Sequence, residues 1–280
     1  MNQKIGPYHV IDLPPARRDT PNFLDMYWWK HYIYGLLEVD VTVARQFIAE
    51  HRARTGEVLS FTGYLAFCVA RAADENKEVQ AYLKGRKQLL VFDDVDVGLP
   101  IEREIEGKRV PAGYIIRGAN HKTFLEIHQE IRSAQTGPVP PSKGLPPWLR
   151  FGLMLPWPFP QLFSALINAV RRYDPTISVK LGGTVAVTAV GMFGKHSGWG
   201  LVPFPQSLGL VVGGIARKPG LVDDRVEPRE MLSLTVMFDH DVVDGAPAAR
   251  FVKRLVELIE SGHGLVETQQ PVQAYIEVPV

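Results

Sequence analysis

Apolar residues recur along this chain at two spacings, and the change from one to the other marks its elements. Tyr32 to Thr42, YIYGLLEVDVT, alternates aromatic and β-branched residues as a strand does, and Asp40-Val41-Thr42 then starts a helix through Val43, Phe47 and Ile48. Leu59 to Ala73 is apolar on most faces, which predicts a deeply buried helix. Lys87 to Leu99 reads as strand, Glu102 to Arg109 as a charged turn, and Val110 to Ile116 as a further strand. Thr123 to Ala134 is an amphipathic helix with Phe124, Ile127 and Ile131 on one face. Gly182 to Gly194 encloses a β-branched run between glycines, a strand entering tight turns, and a Pro-rich turn separates it from another strand, Leu208 to Ile215.

The stretch Ser233 to Ile259 organises the rest. It is β-branched up to Phe238, breaks at Asp239-His240-Asp241, turns at Asp244-Gly245 and becomes helical, with Phe251, Val252, Leu255, Leu258 and Ile259 at helical spacing. A strand ending in a histidine between two carboxylates presents an imidazole at a sheet edge, and both carboxylates are expected to act on it. Imidazole is the side chain best suited to accept and return a proton near neutral pH.

Residues 137–176 break the pattern. Pro138, Pro140, Pro141, Pro146, Pro147, Pro156, Pro158 and Pro160 forbid a continuous helix or central strand. A membrane span needs about 20 residues of unbroken apolar helix, and here only Gln161 to Val170 can be helical. The segment therefore reads as a Pro-rich apolar excursion that packs on the subunit or its neighbour, without membrane contact.

With 280 residues, 46% of them hydrophobic, the chain can bury a substantial core, and one domain over 1–280 is the expectation. The 31 basic and 30 acidic residues leave no electrostatic footprint for nucleic acid. The single cysteine, Cys68, excludes an intrachain disulfide or a Cys-based metal site and fits a reducing cytoplasm. No metal-ligand spacing, phosphate loop or Gly-x-Ser-x-Gly is present, and no apolar leader opens the chain.

The string Asp239-His240-x-Val242-Val243-Asp244-Gly245-Ala246-x-Ala248-Ala249-Arg250-Phe251 resembles the signature of the dihydrolipoamide acyltransferases, the E2 components of 2-oxo acid dehydrogenase complexes. More distantly it resembles the His-x-x-x-Asp-Gly of chloramphenicol acetyltransferase. Glu38-Val39-Asp40-Val41-Thr42 and the run Gly182 to Gly194 resemble the same acyltransferases, and Thr188 takes the place of their active-site serine. The resemblance implies an α/β, chloramphenicol acetyltransferase-like two-layer sandwich, a mixed sheet with helices packed on it. It also implies a homotrimer with active sites between subunits, and acyl-CoA as substrate.

By the same resemblance His240 is a general base for a thiol or hydroxyl, Thr188 donates to the oxyanion, and the two substrates react without a covalent enzyme intermediate. The chemistry is reasonable, because thiols and imidazoles have ordinary pKa values about two units apart. Asp244 would then hold the histidine loop, Gly245 would make its turn, and Arg18, six places beyond Asp12 as an arginine follows an aspartate in the chloramphenicol enzymes, would pair with Asp244. Asp241 departs from the E2 arginine and Ala189 from its asparagine. No lipoyl or subunit-binding domain accompanies the catalytic part, so a lipoyl group would come from another polypeptide. A small-molecule or antibiotic O-acetyltransferase and an inactive trimeric E2-like scaffold are the alternative readings.

Overall fold

The computed structural model describes residues 9, 12, 30–105, 108–137, 159–190 and 196–265. In chain order, strand β1 (Tyr32–Asp40) leads into helix α1 (Thr42–Thr55), where the Asp40 carboxylate accepts from the Thr42 amide at 2.9 Å and so starts the first turn. Helix α2 (Phe61–Glu75) follows, capped by Ser60, whose side chain accepts from the Gly63 amide. A short hairpin, β2 (Tyr82–Lys84) and β3 (Gln88–Leu90), precedes a longer one, β4 (Val97–Ile105) and β5 (Lys108–Ile116). Helix α3 (Phe124–Thr136) has a full capping box between Thr123 and Glu126. Then come helix α4 (Phe159–Tyr173), helix α5 (Thr176–Gly182), strand β6 (Val185–Ala189), the hairpin β7 (Leu208–Val222) and β8 (Arg225–Asp239), and helix α6 (Gly245–Glu260).

The chain divides into two compact units, Lys30–Val139 with Arg171–Val280, and Met1–Trp29 with Pro140–Val170. The first carries the sheet and the core. Of the second, the described part is His9, Asp12 and most of α4. That helix falls where the prolines allow one, with Pro160 tolerated in its first turn.

The six-stranded sheet has the order β1-β8-β7-β6-β4-β5, with β4, β6 and β7 parallel and the other pairs antiparallel. Its two faces are distinguished by the period of two along each strand. Val185 and Val187, Leu208 and Leu210, and Val236 and Phe238 join the main core with Tyr64, Phe67 and Cys68 of α2, Phe124 and Ile127 of α3, and Phe251 and Leu255 of α6. Residues at the intervening strand positions, Ala186, Val211 and Met237, form a separate cluster with Phe204 that contains no helix residue. Helices therefore cover one face, as expected for a two-layer arrangement. The segment 196–206 lies on the other, where a Cβ on Gly213 would come 2.1 Å from the Gly198 carbonyl.

Three sequence expectations need correction. Glu102 to Arg109 is not a turn: apart from 106 and 107, its residues extend β4 and β5, paired from Val97↔Ile116 to Ile105↔Lys108. Lys87 to Leu99 is not one strand, because Phe92 to Asp96 leaves the ladder. Gln80 Nε2 donates to the carbonyls of Phe92 and Asp94 (3.2 and 3.4 Å), and Asn120 Oδ1 accepts from the Val95 amide at 2.9 Å. Side chains thus satisfy the backbone that a neighbouring strand would otherwise satisfy. The hairpin β7–β8 also runs beyond Leu208 to Ile215 and Ser233 to Phe238, turning at Asp223 and Asp224 with φ of 46° and 62°, the left-handed pair that closes a tight hairpin. Arg18 and most of the Pro-rich excursion lie outside the described residues.

Candidate active site

The sheet delivers His240 at the end of β8. After Asp239 the chain makes one tight turn, in which the amides of Val242 and Val243 both donate to the Asp239 carbonyl at 3.0 Å. The His240 ring folds back so that Nδ1 lies 3.0 Å from the carbonyl oxygen of Val243. A carbonyl can only accept, so Nδ1 carries the proton and Nε2 is left as a lone-pair base. The ring is about half exposed, 46% of its side-chain surface. Asp244, three residues after the turn begins to close, occupies the N-cap position of α6 without a side-chain capping bond. Its exposed carboxylate stands 3.9 Å from His240 Nδ1, too long for a hydrogen bond.

The two residues entering β1 clamp this turn. Lys30 Nζ meets Asp239 Oδ2 at 2.7 Å with both side chains buried. Burial holds the Lys30 ammonium below the usual lysine value, with Asp239 and then Asp241 pulling the other way. His31 contributes twice: its carbonyl accepts from the His240 amide at 2.7 Å, and its Nδ1 lies 2.9 Å from Asp241 Oδ1. The Asp241 amide in turn donates to Asp239 Oδ1 at 3.1 Å. Both carboxylates flanking His240 are therefore engaged by other side chains, Lys30 and His31, where the sequence suggested that they act on the imidazole. Sequence reasoning missed Lys30 and His31, because no motif surrounds them and only the β1–β8 register brings them to residues 239–241.

Thr188 sits near the end of β6. Its strand is held from below by Thr184, whose hydroxyl donates to Gln80 Oε1 at 2.5 Å and accepts from the Asp96 amide at 3.0 Å. Gly183 makes the entry, with φ of +80° and a place so close to Asp96 that a Cβ would come 2.4 Å from the Asp96 carbonyl. Alternation puts Thr188 on the same face as Ala186, away from the helices. Its hydroxyl has no hydrogen-bond partner among the described residues.

Within one chain His240 and Thr188 are apart. Thr188 is level with Val211 and, through it, with Thr235. His240 lies five residues further along β8 and two strands across, which at ordinary strand rise and spacing is roughly 19 Å. Gly245 begins α6 with open space around its Cα. Arg18, the expected partner of Asp244, lies outside the described residues. Among the described residues no cluster of three or more His, Cys, Asp or Glu side chains could hold a metal, and no helix is long and apolar enough to cross a membrane.

Residues 30–137 and 161–266 match the 2-oxoacid dehydrogenases acyltransferase (catalytic domain) family. The lipoamide acyltransferase component of the branched-chain alpha-keto acid dehydrogenase complex of Bacillus subtilis is 25% identical over 235 residues, covering 82% of this chain and 47% of that protein. The mitochondrial dihydrolipoyllysine-residue succinyltransferase component of the 2-oxoglutarate dehydrogenase complex of Saccharomyces cerevisiae is 33% identical over 207 residues, 74% of this chain and 37% of that protein. The chain thus spans less than half the length of these relatives. Among solved structures, the cubic core of the pyruvate dehydrogenase multienzyme complex has the same fold, with a TM-score of 0.64 at 18% identity over 94% of this chain and 99% of the other. The His240 turn and the Thr188 strand both fall inside the matched residues, and this chain belongs to the 2-oxoacid dehydrogenase family of acyltransferase catalytic domains.

Proposed function

We propose that this chain catalyses CoA-dependent acyl transfer, with His240 as general base and Thr188 as oxyanion donor. The observation that carries the reading is the His240 tautomer: the bond from Nδ1 to the Val243 carbonyl leaves Nε2 bare on a half-exposed ring. Nε2 takes the proton of the attacking thiol as its sulfur adds to the thioester carbonyl. The tetrahedral oxyanion accepts the Thr188 hydroxyl proton in a hydrogen bond. Collapse breaks the carbon bond to the departing sulfur, which recovers the proton from His240. No covalent enzyme intermediate forms, and no metal enters. The acceptor is a small-molecule thiol or a lipoyl group carried by another polypeptide.

The reading requires a homotrimer, because His240 of one subunit must meet Thr188 of the next. It is supported by the face on which Thr188 lies: Tyr34 and Leu36 of the edge strand β1 share that face and are 36% and 53% exposed. An uncovered apolar strip on an otherwise packed sheet is suited to a second copy of the chain. Asp244 holds the histidine loop, and Gly245 allows the turn into α6.

Mixing two inactive variants tests both chemistry and assembly. His240→Ala and Thr188→Ala proteins, assayed separately for thiol release from acetyl-CoA with dihydrolipoamide, lose turnover. After dissociation and reassembly together, random pairing leaves about a quarter of the interfaces with both groups, and activity returns to about that level. Full activity in His240→Ala alone, or no recovery in mixed trimers, refutes the proposal.

A further inference from the structure

We propose that His31 is a positioning residue for His240, acting through Asp241. The inference rests on the reading of His240 as the base. Its own ground is the double hold that residue 31 has on the catalytic turn. The His31 carbonyl accepts the His240 amide at 2.7 Å, continuing the β1–β8 ladder by one step past Tyr32↔Asp239. This fixes the backbone of His240 but not the direction in which the turn leaves the sheet. That direction is set one residue later, where Asp241 is tied at both ends: its amide to Asp239 Oδ1 at 3.1 Å, its carboxylate to His31 Nδ1 at 2.9 Å.

The geometry separates His31 from its neighbour Lys30. Lys30 and Asp239 are buried and belong to the folding core of the site. His31 is 78% exposed in its side chain and Asp241 29%. An exposed pair of this kind adds little to global stability. It nevertheless bridges two segments 210 residues apart, at the turn that carries the candidate base. Such a contact acts on placement of the ring, and misplacing a reacting group by about 1 Å costs on the order of 100-fold in rate. The contact needs a donor at the Nδ1 position. The amide of asparagine places its nitrogen there, whereas alanine does not.

The test compares kcat and KM for acetyl-CoA and dihydrolipoamide in His31→Ala, His31→Asn, Asp241→Ala and the His31→Ala/Asp241→Ala double variant, with His240→Ala as the control for the underlying reading. The expected result is a fall in kcat of about 10- to 100-fold in His31→Ala and in Asp241→Ala. The double variant falls no further than either single one, His31→Asn stays within about threefold of wild type, and neither KM nor the melting temperature moves. Independent, multiplying effects of the two alanines would overturn the route through Asp241. An unchanged kcat in His31→Ala, with His240→Ala inactive, would overturn the proposal while leaving the base assignment in place. Activity in His240→Ala would instead remove the reading on which it stands.

Discussion

Replacing Asp239 by asparagine removes one charge from a pair that has almost no contact with solvent. The two side chains are 7% and 4% exposed and 2.7 Å apart, and asparagine keeps the oxygen that accepts from the Asp241 amide. Breaking a buried pair on one side costs about 3–5 kcal/mol. An independent bound comes from the lysine itself, which can lose its proton when Asp239 is gone. At pH 7 that costs about 4.6 kcal/mol, from an ordinary lysine pKa of about 10.4 and about 1.36 kcal/mol per unit. The two figures agree.

The pH dependence then has a fixed sign. Burial already holds Lys30 below its ordinary value, and losing Asp239 removes the largest opposing pull. The unfolded chain therefore binds this proton more tightly than the folded one, so stability rises with pH between the depressed folded value and about 10.4, and is lost as pH falls. Urea unfolding midpoints at pH 7, 8 and 9 should show an Asp239→Asn deficit that shrinks by up to about 1.4 kcal/mol per pH unit. A Lys30→Met/Asp239→Asn double variant, with no buried charge left, should recover most of the loss. A deficit below about 1 kcal/mol at pH 7, or one that does not shrink on raising the pH, refutes the reasoning.

Thr188→Ala should lower kcat by about 10²–10³, the usual loss for one oxyanion donor, with Thr188→Ser near wild type in the same thiol-release assay. Gly183→Ala should lower the melting temperature sharply. Its φ of +80° and ψ of −178° cost a side-chain-bearing residue about 1–3 kcal/mol before the approach to Asp96 is counted. Gly113→Ala, with nothing within 4 Å of the added Cβ, serves as the control. His128 is buried and receives the Ser60 amide on Nδ1 while its Nε2 meets Glu57 at 3.0 Å. Burial, ahead of the opposing hydrogen bond to Glu57, holds it below the usual imidazole value. Stability should therefore fall as pH drops below about 6.5, and denaturation midpoints of His128→Gln should lose that dependence while starting lower.

The segments that carry His240 and Thr188 were legible because each is local. His240 and its helix follow from a strand that ends in polar residues and a change of period over Ser233 to Ile259, and the strand carrying Thr188 from a β-branched run between glycines, while the place of Thr188 in a site came only from the family resemblance. Burial of Gly63 to Ala70 around the whole circumference of α2 is likewise visible in its composition. What was not legible depends on register. Lys30 and His31 reach residues 239–241 only because Tyr32 pairs with Asp239, and nothing in a Lys-His pair announces a partner 210 residues away. The charged arm of β4–β5 read as a turn because Glu102 to Arg109 carries charges where alternating apolar residues would announce a strand. Phe92 to Asp96 erred the other way: Val95, Val97 and Leu99 at alternate places imitate a continuous strand, while buried Gln80 and Asn120 hold the backbone out of the sheet.

Cys68, the only cysteine of the 280 residues, is fully enclosed in the main core beside Tyr64 and Phe67. Burial pushes its thiol up to about 12, against a smaller opposing effect of Tyr64. Since the thiolate is the reactive species, the folded protein contributes no background to a colorimetric readout of free CoA. A maleimide or disulfide dye that does label the chain is then reporting opening of the α2 core, which makes the native sequence its own clock for unfolding.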